Sequence, residues 1–190
     1  MQVTSTTDTE RNLAVELILE DIPGGGVVEN DDFPTSSSGM KAGALLGKAS
    51  DGIYHLTKTA MVNVALSTDD SDVIVHNNHE FIVGDYLTIP SLASSGVIIT
   101  AIAASGAGLD LITATWEGPD VAASGLLVAG SGIGACPMKY PPTVISSNSF
   151  SLDDDNTGCG LMVRGRVVKS LQPYYTDATL RALFPLVRFV

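Results

Sequence analysis

Apolar and polar residues alternate along this chain in short runs, cut about every ten residues by Gly, Pro, Ser or Asp, the rhythm of short strands joined by tight turns. NLAVELILEDI (12–22) carries Leu13, Val15, Leu17 and Leu19 at alternate positions, which predicts a strand. Val15, Ile18, Leu19 and Ile22 also fit one helical face, so this segment reads both ways. Residues 1–10 form a polar arm by composition, and 31–39 a loop. A hairpin is predicted from 43–48 through the turn Ser50-Asp51-Gly52 to Tyr54, Leu56 and Lys58. A long strand should follow through Met61, Val62, Val64 and Leu66. After it come DVIVHN, then HEFIVGDYLTI folded around Gly84-Asp85, and a strand pair at 97–102 and 109–116. Further along lie a strand at 125–131, an irregular crossing at 143–151 and a polar turn at 153–158. LMVRGRVVKSL (161–171) reads as a strand with Arg164, Arg166 and Lys169 toward solvent. Thr176 is placed to cap a short helix running to Leu183, with Asp177 in its first turn, Pro185 ending it and Leu186–Val190 as a closing strand.

The pattern predicts an all-β protein, a sandwich or small barrels of short antiparallel strands with one short C-terminal helix. Residues 1–40 read as an N-terminal arm or a strand and loop. Residues 41–190 read as a β-rich domain divisible into sub-barrels at 41–118 and 119–190.

Composition sharpens this. The chain is 45% hydrophobic but only 6% aromatic, so its core is built mainly from Val, Ile, Leu and Ala. A net charge of −11 argues against nucleic acid or an anionic membrane as general partner, since both require a basic surface. The charge is uneven. Residues 1–32 hold Asp8, Glu10, Glu16, Glu20, Asp21, Glu29, Asp31 and Asp32 against Arg11, whereas residues 161–190 hold Arg164, Arg166, Lys169, Arg181 and Arg188 against Asp177. A basic end on an acidic chain suits either ordinary solvated faces or an acidic partner surface. Cys136 and Cys159 are too few for a disulfide scaffold and read as buried thiols. MQVTSTTDTE has no basic-then-apolar leader pattern, and no apolar stretch reaches the length of a membrane span, so a soluble protein is expected.

Catalytic chemistry finds little support. His76 and His79 in HNNHE stand three apart in strand and turn, whereas a zinc-binding helix needs a spacing of four. His55 has no obvious partner. DDDNTG has alternate oxygen ligands at Asp153, Asp155 and Thr157, but its twelfth position is Arg164 where a calcium loop needs Glu. GSGIG (130–134) opens no helix, and neither cysteine has a CxxC mate or a neighbouring His. No cofactor is implied.

Three stretches together resemble a known family: ALLGKASDGIYHLTKTAMV, HNNHEFIVGDYLTI and VRGRVVKSLQPYYTDATLRALFPLVRFV. In order they carry Lys58-Thr59-Ala60, then His79-Glu80-Phe81-Ile82-Val83-Gly84-Asp85, then Ala182-Leu183-Phe184-Pro185-Leu186-Val187-Arg188-Phe189-Val190. This set is similar to the head fibre and capsid-decoration proteins of tailed bacteriophages of gut Bacteroidetes. It departs from their pattern at Asn78, where a Gly is usual, and residues 1–40 match nothing in it. The resemblance implies a non-catalytic virion structural protein on the capsid exterior, assembled in the host cytoplasm, commonly trimeric, with the major capsid protein as partner. On that basis Arg164, Arg166, Lys169, Arg181, Phe184, Leu186, Arg188 and Phe189 are candidates for a subunit or capsid interface. The alternative is a β-rich module binding a host surface glycan, with Trp116 and the Tyr174-Tyr175 pair as stacking platforms.

Overall fold

In the computed structural model, which describes residues 14–35, 37, 39–90, 94–151 and 156–190, the chain is mostly β, in several largely antiparallel sheets. The strands of its first half are β1 (Val15–Asp21), β2 (Gly26–Val28), β3 (Leu45–Lys48), β4 (Tyr54–Leu56), β5 (Thr59–Met61), β6 (Asp72–His76), β7 (Tyr86–Thr88), β8 (Ser94–Ser95) and β9 (Val97–Ile98). Those of the second half are β10 (Ala101–Gly106), β11 (Leu109–Thr113), β12 (Leu126–Gly130), β13 (Ala135–Cys136), β14 (Val144–Ser146), β15 (Thr157–Cys159), β16 (Leu161–Val167) and β17 (Val187–Phe189). One α-helix, α1 (Ala178–Ala182), lies near the C-terminus, with 3-10 turns at Asn30–Asp32 and Lys169–Leu171. Among the described residues no helix is long and apolar enough to cross a membrane.

Eight strands form the main sheet in the order β1-β16-β14-β3-β4-β2-β15, with β17 added parallel to β16. Neighbouring residues of its central strands serve different cores. Leu46, Val144 and Leu161 join Val28, Phe33, Met40, Tyr54, Leu56 and Tyr174 on one face. Leu45, Ile145 and Met162 join Val167, Leu180, Phe184 and Val187 on the other. A strand buried on both faces reads as an unbroken apolar run, and Leu45-Leu46, Val144-Ile145 and Leu161-Met162 are such runs. The stretch 143–151, expected to be an irregular crossing, therefore contributes β14 to the middle of the sheet.

The segment between β4 and β14 closes into a small barrel. Strand β12 pairs with β5 and β7, β7 with β9, β10 with β11, and β11 with β6. The ring shuts where Val62 bridges Val75 and where β9 runs on into β10; closure removes free sheet edges. Trp116, Phe81, Leu87, Ile99, Ile112 and Leu127 fill the interior. The expected boundary near residue 118 is crossed by these pairings, and the main sheet draws on both ends of the chain. The expected long strand through 61–66 breaks after the Val62–Val75 bridge; Val64 is 53% exposed, and bridging resumes at Leu66–Val121.

Strand β12 joins the two units. Its Leu127 and Ala129 point into the barrel, while Leu126 and Val128 belong to the core shared with Leu180, Phe184 and Val187. The C-terminal helix and strand thus fill the seam between barrel and sheet. Asp177 rather than Thr176 caps the helix, its carboxylate accepting the Leu180 N–H at 2.8 Å. Thr176 instead donates its hydroxyl to Gln172 Oε1 at 2.7 Å.

Candidate functional site

Among the described residues, buried charge gathers where the chain passes from the main sheet into the barrel. Lys58, in the two-residue link between β4 and β5, is 4% exposed, and its Nζ donates to Asp85 Oδ2 at 2.7 Å. Asp85 closes the turn in which Gly84 takes φ +98°, a conformation that favours glycine. The same Oδ2 accepts the Ile82 N–H at 3.0 Å. Nearby, Asp32 Oδ2 accepts the Leu56 N–H at 3.1 Å and lies 3.0 Å from His55 Nδ1, while the His55 ring stacks on Tyr140 with centroids 3.9 Å apart. Burial raises the Asp32 pKa, against the opposing pull of His55 and Lys58. His55, for which the sequence offered no partner, is therefore held by a carboxylate 23 residues upstream.

Beside this network a cleft of about 1030 Å³ opens between the loop 30–37 and the barrel, lined by Asp31, Phe33, His79, Glu80, Ile102 and Asp110 among others. His79, placed by the sequence in a strand or turn, is buried at 6% exposure. Its Nδ1 accepts the Phe81 N–H at 3.0 Å, which assigns the ring proton to Nε2. Nε2 stands 3.2 Å from Asp110 Oδ2 but lacks the alignment of a hydrogen bond. Burial lowers the His79 pKa, with Asp110 pulling the other way. With Nδ1 occupied by a backbone donor, the imidazole has no free lone pair with which to act as a base. Glu80 takes a left-handed backbone (φ 54°) and accepts from Tyr174 Oη at 3.4 Å; burial raises its pKa.

The residues proposed for an interface fall into two groups. Arg164 and Arg166 on β16 and Arg188 on β17 share one exposed face, Arg166 and Arg188 being register partners, with Leu186 55% exposed beside them. Strand β1 extends this face with Leu17 at 48% and Leu19 at 60% exposure, and Glu16 pairs with Arg166 at 2.9 Å. Lys169 is exposed in its 3-10 turn. The other three do not belong to that face. Phe184 is 5% exposed in the seam core and meets Phe189 edge-on at 6.1 Å. Arg181 turns back on its own helix start, donating to Thr176 O at 2.7 Å. The apolar positions needed a partner inside the chain, and the helix end needed a donor, before either could serve a neighbour.

Two of the three aromatic platforms expected for a glycan are also committed, while Tyr175 is only half-buried, its ring 5.7 Å from that of His76. Trp116 is fully buried with its indole N–H donating to Pro119 O at 2.9 Å, and Tyr174 is 8% exposed. Cys136 and Cys159 are both buried and free, and burial pushes the Cys159 thiol up to about 11. Residues Asp153 and Asp155 of the DDDNTG turn, and the arm 1–10, lie outside the described residues. Among those described, no cluster of three His, Cys, Asp or Glu could hold a metal ion. Comparison with family models, with curated proteins and with solved structures finds no match.

Proposed function

We propose that this chain is a non-catalytic structural protein of a phage virion, a head fibre or decoration protein attached to the capsid exterior as a homo-oligomer. The observation that carries this reading is how the three recurring stretches are used. Lys58 of the first meets Asp85 of the second as a buried pair. The third supplies Leu180, Phe184 and Val187 to the seam. Their residues are spent on holding the fold together. The exposed face of β1, β16 and β17 is mixed, with arginines and leucines side by side. Such a face suits attachment by area to an acidic neighbour, repeated over a symmetric lattice.

Gold-labelled antibody to the purified chain, applied to tailed particles from the source lysate, tests this directly. Gold on the heads is the expected result. Gold confined to the tail tip would instead support recognition of the host, and unlabelled particles would overturn the virion reading.

A further inference from the structure

We propose that Lys58 and Asp85 become joined by an intramolecular isopeptide bond, formed by the folded chain without help. The inference stands apart from the virion reading and rests on how the two side chains are held. Their side chains are 4% and 7% exposed, and Nζ already lies 2.7 Å from Oδ2. Both backbones are locked. The Lys58 carbonyl accepts the Ala129 N–H at 3.1 Å, and Asp85 is fixed through its N–H to Ile82 O at 3.1 Å and its carbonyl to the Ile99 N–H at 2.9 Å. Amine and carboxyl therefore have little freedom to separate, the condition under which intramolecular reactions gain most. Water, which would stabilise the separate ions, has little access to either side chain.

The reaction balances without an oxidant or cofactor. The ammonium of Lys58 passes one proton to the Asp85 carboxylate, and the freed amine lone pair attacks Cγ of the resulting carboxyl. The tetrahedral adduct loses one oxygen, which departs as water carrying both protons shed by the nitrogen. One C–N bond forms and one C–O bond breaks. A second buried carboxyl stands within the field of Lys58: Asp32, held by His55 and the Leu56 N–H. Its raised pKa suits it to take and return a proton during the transfer. The product is a neutral amide in place of two buried charges, and it staples the link after β4 to the turn before β7.

Intact-mass spectrometry of the purified chain reads the outcome. The expected mass falls short of the sequence mass by one water, about 18 Da, and proteolysis yields a branched peptide joining Lys58 to Asp85. Lys58→Arg keeps a cation but cannot form the bond and should show its full mass. Asp85→Asn should lose ammonia in place of water. Asp32→Asn should slow the condensation by at least about tenfold; an unchanged rate would overturn the role given to Asp32. A full wild-type mass would overturn the proposal. So would a water loss that maps to Asp51-Gly52, where dehydration to a succinimide has the same mass.

Discussion

At the scale of single residues, Glu80 links geometry to a measurable pH effect. Its carboxyl is drawn into the cleft wall beside Tyr174 by a left-handed backbone, and burial raises its pKa from 4.5. The folded state therefore favours the protonated form, so stability falls as pH rises from the unfolded value through the folded one. Glu80→Gln keeps an acceptor for the tyrosine and removes the charge. It should raise the melting temperature near neutral pH, with the gain fading as acid protonates the wild type. A variant less stable than wild type at neutral pH, measured by thermal unfolding, would contradict this. Asp85→Leu makes a sharper case. It removes the link to Lys58 and leaves that residue's ammonium buried without Asp85 beside it, a change that costs at least about 3 kcal/mol and is readable by denaturant unfolding. These pairings were hidden in the sequence because the partners stand 27 residues apart for Lys58–Asp85 and 23 for Asp32–His55. Nothing local marks a charged residue as buried; only the closure of a barrel against a sheet does so.

At the scale of elements, the C-terminal segment separates residues that look alike on paper. Leu180 is fully buried in the seam and Leu183, three positions on, is 45% exposed. Leu180→Ala should cost about 2–5 kcal/mol, whereas Leu183→Ala should stay within about 0.5 kcal/mol. Equal losses would mean that the helix does not pack on the face described. The hairpin β3–β4 was legible in advance, because Gly52 (φ +92°) and the Asp51 carboxylate accepting the Ile53 N–H make a local turn. The strand pair around Gly106 and Gly108 was legible only in part: Leu109–Thr113 lies within the expected 109–116, but its partner is Ala101–Gly106 rather than 97–102, and Val97–Ile98 pairs with β7 instead. Strand β14 was not. Its Val144 and Ile145 face different cores, so no alternation announces them. Strand β1 was legible as a strand, but its burial was not. Its alternation is clear, yet six of its seven residues are exposed, because it is an edge strand paired only with β16. The cap was misplaced by one residue because Thr176 and Asp177 are both good caps, and the choice depends on where Gln172 lies.

At the scale of the molecule, an acidic chain presents one face on which arginines gather. Arg164 and Arg166 are partly offset by Glu20 in register and by Glu16 in contact, which leaves Arg188 the least compensated. All three are exposed and lie outside the three cores, so reversing their charge should leave folding intact while removing attraction for an acidic neighbour. The attachment should also weaken with salt, as exposed charges are screened. The most direct measurement is sedimentation of phage heads, washed in high salt to remove resident copies, with purified chain. Wild type should pellet with the heads, while the Arg164→Glu, Arg166→Glu, Arg188→Glu variant, folded by its circular dichroism, should stay in the supernatant. Equal pelleting of both would contradict the assignment of this face, and failure of the wild type to pellet at all would contradict attachment to the capsid.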